Sequence, residues 1–138
     1  MYGKILLFLG TCSFGGSLKM SRQFVLNGIT FINLTMHDIN LYDYEDKYNF
    51  VIHTIPPSGD IVRLDSAEET LFRLGNIEVN QVTYSSADEL PPMVKNQYYI
   101  VSALVANAYP DRRDFLMVHK TVRDDNGRII GCRAFAQA

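Results

Sequence analysis

A chain of 138 residues that is 47% hydrophobic and 12% aromatic is long enough to close one ordinary core and too short for two typical domains. Its 13 Lys and Arg against 15 Asp and Glu leave a formal charge of −2, so no global field draws it to a nucleic-acid polymer or an anionic membrane. Cys12 and Cys132, at opposite ends, suggest neither a disulfide framework nor a metal-ligand cluster, and no apolar run approaches the about 18 residues of a membrane-spanning helix.

Residues 1–19 combine one early Lys, a short apolar run from Ile5 to Leu9 and then small residues, a loose imitation of a secretion signal. The segment before Cys12 only approximates that of a lipidated cysteine. Residues 1–19 are therefore read as an N-terminal extension or a weak signal-like segment, and residues 20–138 as a single domain. Residues 29–35 are β-branched and aromatic, 39–44 alternate, and 50–55 end at Pro56-Pro57-Ser58-Gly59, so three strands are predicted, with extended structure resuming over 61–64. The pattern reads as an antiparallel meander. Residues 66–73 fit a helical turn, with Ser66 as cap and Glu69 in the capping-box position, or equally a strand. Residues 77–84 alternate with one slip and read as a strand, as do 97–102. Ser102 to Tyr109 spaces Leu104, Val105 and Ala108 at helical intervals, with Ser102 to cap the helix and Pro110 to stop it. Residues 115–121 and 128–136 are strands joined through Asn126-Gly127, a strong hairpin signal. The expected fold is α+β, a mainly antiparallel sheet with one or two short helices.

Candidate chemistry is dispersed, and each group also has an ordinary structural use. Asn33, Thr35, His37 and Asp38 crowd a strand-to-turn junction, where they either contact a ligand or satisfy the turn's own backbone. Arg63 stands in an otherwise apolar strand and needs an anionic partner if buried, Asp114 or a ligand. Arg112 and Arg113 offer two guanidinium forks after the helix stop, suited to phosphate or carboxylate, although Asp111 and Asp114 flank them. Tyr98 and Tyr99 either stack on a nucleobase or fill the core. Cys132, near Arg128 and Arg133, is either a low-pKa nucleophile paired with His37 or His119, or a small buried hydrophobe. His53 and His119 lack the companions of a metal site.

The series Asn33-Leu34-Thr35-Met36-His37-Asp38, Pro57-Ser58-Gly59 with Arg63, Leu90-Pro91, Tyr99-Ile100-Val101-Ser102, Arg113-Asp114, Asp125-Asn126-Gly127-Arg128 and Gly131-Cys132 resembles a widespread family of small phage, prophage and actinobacterial proteins, mostly without assigned function. The likeness covers residues 29–136. In size the chain also resembles the Thoeris anti-defence sponges, phage proteins that bind cyclic ADP-ribose signals; no site residue is carried over from them. The loop arginines, the available aromatics and the absence of a convincing catalytic set, together with the second likeness, point to a non-enzymatic, cytoplasmic protein of the bacterial host cell that sequesters a small anionic nucleotide. Arg112, Arg113 and Arg63 would contact phosphates, Tyr98 or Tyr99 would stack, and Asn33 and His37 would hydrogen-bond ribose or base, with no catalytic residue, cofactor or metal. A homo-oligomer is expected. The alternatives are a small enzyme with His37 as base, acting on a nucleotide or ester, and a structural or protein-interaction module.

Overall fold

The computed structural model describes the backbone of residues 4–11, 18–86 and 89–138, with side chains from Arg22 onward within those ranges. In chain order the elements are β1 (Lys4–Thr11), β2 (Leu18–Leu26), β3 (Ile29–Asn33), β4 (Ile39–Tyr42), β5 (Val51–Ile55), β6 (Ser66–Leu74), β7 (Ile77–Tyr84), β8 (Gln97–Ile100), α1 (Ala103–Ala108), β9 (Phe115–Arg123) and β10 (Ile129–Ala136). Eight strands form one sheet in the order β1-β2-β3-β8-β9-β10-β4-β5, and β6 and β7 form a separate two-stranded sheet. Among the described residues, no helix is long and apolar enough to cross a membrane. β1 is an edge strand paired antiparallel to β2, in which Met20 lies opposite Leu9. Cys12 falls outside the described residues.

The large sheet is mixed, which corrects the expected meander. β3 runs antiparallel to β2 but parallel to β8, β8 is parallel to β9, and β10 is parallel to β4. β3 and β4 are not neighbours because the chain leaves the sheet at Asn33, and β4 rejoins it beyond β10, paired antiparallel to β5. Residues 61–64 add no strand; Val62 is instead buried under Leu34, whose carbonyl accepts its N–H at 3.4 Å. The ambiguous 66–73 segment is strand. The helix forms where expected, with the Ser102 hydroxyl accepting the Val105 N–H at 3.2 Å.

Alternation along β8 divides the core into two layers. Tyr99 points to a cluster with Leu34, Val62, Val101, Val105, Ala106 and Phe115, under α1. Ile100 points the other way, into a cluster with Phe24, Ile39, Ile55 and Cys132. That second cluster joins β2, near one end of the strand order, to β5 at the other. The sheet therefore curls on itself, with Phe24 edge-on to His53 at 5.4 Å and the Arg22 N–H donating to the Ser58 carbonyl at 3.4 Å.

The approach of β10 to β4 requires a residue without a side chain. A Cβ added at Gly131 would lie 2.5 Å from the Asn40 carbonyl oxygen and 2.6 Å from Cε1 of Tyr42. Gly131→Ala is expected to destabilise the fold by about 2 kcal/mol through overpacking, measured as a lower urea midpoint.

Candidate functional site

The β3–β8 pair presents different polar groups at its two ends. Thr30 lies opposite Gln97 at one end and Asn33 opposite Ile100 at the other, so three residues of extended chain separate them by about 10 Å. That spacing sorts the seven residues singled out from the sequence.

At the far end Asn33 is buried and committed to the fold. Its Nδ2 donates to the carbonyls of His37 (2.7 Å) and Ile55 (3.1 Å), and its Oδ1 accepts from the Thr35 N–H (2.9 Å) and hydroxyl (2.6 Å). His37 and Arg63 are exposed, and the Arg63 guanidinium lies against the Met36 thioether. Both line a shallow cleft of about 260 Å³. Beside it a larger, mainly apolar cleft of about 610 Å³ gathers His37, Asp38, Ser102, Met117 and Cys132. Burial pushes the Cys132 thiol above its usual pKa, which keeps it protonated at neutral pH and unsuited to nucleophilic attack. Arg133 does not offset this. Its guanidinium donates to the main-chain oxygens of Asp43, Glu45 and Tyr48 at 2.8–3.1 Å, holding the loop after β4.

At the near end the two adjacent arginines have opposite fates. Arg112 is half-buried and forms a fork on Asp114, Nε to Oδ1 and Nη2 to Oδ2, both at 2.9 Å. It also donates to the Pro91 carbonyl at 2.7 Å and lies 4.3 Å over the Phe115 ring. The hydrogen bonds Arg112 donates to Asp114 outweigh burial and hold the guanidinium above its usual pKa. Tyr99 is likewise internal: its hydroxyl donates to the Pro92 carbonyl and accepts from Gln97, each at 2.8 Å, and burial raises its pKa.

Arg113 instead projects outward. Its hydrogen bonds go to the main-chain oxygens of Pro110 and Ala138 and to the Gln137 amide, and no Asp or Glu side chain pairs with it among the described residues. It lines a cleft of about 350 Å³ together with Lys95, Asn96, Gln97, Tyr98 and Gln137. The Tyr98 ring is positioned by stacking on Phe31, centroids 6.1 Å apart with planes at 23°. The carboxylate of Asp114 also borders this cleft but is already matched by Arg112. Two cations and an aromatic ring thus border one concavity with Asn96, while the Gln137 amide is held by Arg113 and the Gln97 amide by the Tyr99 hydroxyl.

No family model, curated protein or solved structure matches this chain. Of the seven residues, the near-end cleft takes Tyr98 and Arg113, the far end takes His37 and Arg63, and Asn33, Tyr99 and Arg112 hold the fold. Lys95 was missed by sequence reasoning. Its signal was local: a basic residue beside Asn96, which adopts a positive φ of 59° in the turn entering β8. Among the described residues, no group of three or more His, Cys, Asp or Glu side chains is placed to hold a metal ion.

Proposed function

We propose that this protein is a non-catalytic binder of a small anionic nucleotide, of the phage anti-defence type, acting in the bacterial cytoplasm by sequestering its ligand. The observation that carries this reading is the convergence of Arg113, Lys95 and Tyr98 on one cleft. In the proposed complex the Arg113 guanidinium and the Lys95 ammonium neutralise phosphate, the Tyr98 ring stacks on the base, and Asn96 hydrogen-bonds the sugar. The volume, about 350 Å³, is at the small end of the range for ligand sites and suits one compact nucleotide rather than a polymer. In the enzyme alternative His37 would act as base without an ionised thiol, since burial holds Cys132 protonated.

Calorimetric titration with cyclic ADP-ribose isomers and cyclic dinucleotides tests the proposal. A saturable heat is expected for at least one compound, weakened about 10-fold by Arg113→Ala and by Lys95→Ala through loss of a charge-assisted contact. Dilution heat alone for every compound would overturn it.

A further inference from the structure

The β6–β7 hairpin forms a sheet of its own, and all nine residues of β6 are exposed. An isolated two-stranded hairpin is marginal in water. This one nevertheless carries a concentrated apolar face. Cross-strand partners Leu74 and Ile77, then Phe72 and Val79, share one side, and the irregularity after Thr70 brings Leu71 opposite Val79 as well. Leu71, Phe72, Leu74 and Ile77 are 53%, 52%, 61% and 66% exposed. The opposite side is paired near the turn, with Arg73 on Glu78 at 2.9 Å and Asn80 donating to Glu68, and carries Val82 and Tyr84, 46% and 52% exposed, toward the open end. Glu69 and Gln81, paired to each other next along the apolar side, end the patch.

We infer that this hairpin is a dimerisation arm whose apolar face packs on the same face of a second copy of the chain. The area argues for it. Four side chains of roughly 200 Å², each rather more than half exposed, offer roughly 450 Å² per arm and about 900 Å² for two. For a contact of about 1,500 Å² in all, within the range of stable dimers, the polar rim of the arm would have to supply the remaining roughly 600 Å². A two-fold axis through the patch sets Phe72 and Ile77 against their own counterparts, so one surface supplies both sides. Charge disfavours an anionic membrane in the same place, since the arm holds Glu68, Glu69 and Glu78 against Arg73 alone.

Sedimentation equilibrium of the full chain at about 100 μM, where an interface of this size is populated, should give twice the 15.7 kDa chain mass. The double substitution Phe72→Glu with Ile77→Glu should raise the dimer dissociation constant roughly 100-fold with an unchanged thermal transition of the body, because the arm lies outside both core clusters. Arg73→Lys, on the opposite side, should leave the dimer intact. Monomer mass for the unmodified chain throughout, or a dimer indifferent to the double substitution, would overturn the inference.

Discussion

Replacing Asn33 with alanine is expected to lower the unfolding free energy by about 3 kcal/mol, the sum of several hydrogen bonds lost at a buried site and the stranded carbonyls they leave. One amide closes the corner at which the chain leaves the large sheet: it donates to the His37 and Ile55 carbonyls and accepts from both groups of Thr35. The Asn33 carbonyl adds a bond from the Ser58 N–H at 2.9 Å. That bond uses main-chain atoms and survives the substitution, so the loss isolates the side chain. In a chain of this size the change corresponds to a melting temperature lower by about 10 °C. Asn33→Asp should be no better, because an ionised carboxylate only accepts, and both carbonyls would then face a negative charge. Urea unfolding of the two variants checks this; a loss below about 1 kcal/mol in both would show that other contacts close the corner.

Arg112→Ala should cost a comparable 3 kcal/mol or more, because Asp114 is only 6% exposed and would be left charged without its partner. Arg112→Lys should recover less than half of the loss, since an ammonium cannot fork on both carboxylate oxygens, reach Pro91 and lie flat over Phe115 together. The exposed Arg73–Glu78 pair provides the contrast. Its N–O distance is the same 2.9 Å, yet Arg73→Ala should change stability by less than about 0.5 kcal/mol. Chemical denaturation of the three variants separates burial from geometry as the source of the effect. Equal losses at Arg112 and Arg73 would show that the Arg112 pair is solvated.

Much of the fold was legible because its signals are local. β-branched and aromatic runs marked the strands, Ser102 and Pro110 framed the helix, and Asn126-Gly127 marked the β9–β10 hairpin. Asn27-Gly28 carries the same turn signature, with φ of 54° and 78°, and turns β2 into β3. Strand neighbours were not legible in this way. A period of two shows which side chains share a face but not that β3 will pair with β8, more than sixty residues later, rather than with β4.

The site was legible in part for a similar reason. Asp111-Arg112-Arg113-Asp114 announced both cations and their flanking carboxylates, but only the turn geometry decides that Asp114 reaches back two residues to Arg112 and leaves Arg113 facing the cleft. Tyr98 and Tyr99 are adjacent in one strand, so they point to opposite sides: Tyr98 lines the cleft, and Tyr99 fills the core under α1. Asn33 and His37, attractive as ligand contacts by type, sit at the other end of β3.

The most direct measurement is an amide and side-chain chemical-shift titration of the labelled protein with cyclic ADP-ribose isomers. Saturable shifts are predicted at Lys95, Asn96, Gln97, Tyr98 and Arg113. Shifts confined to His37, Ser102 and their neighbours at the opposite end of the β3–β8 pair, or none at ligand excess, would contradict the placement of the site.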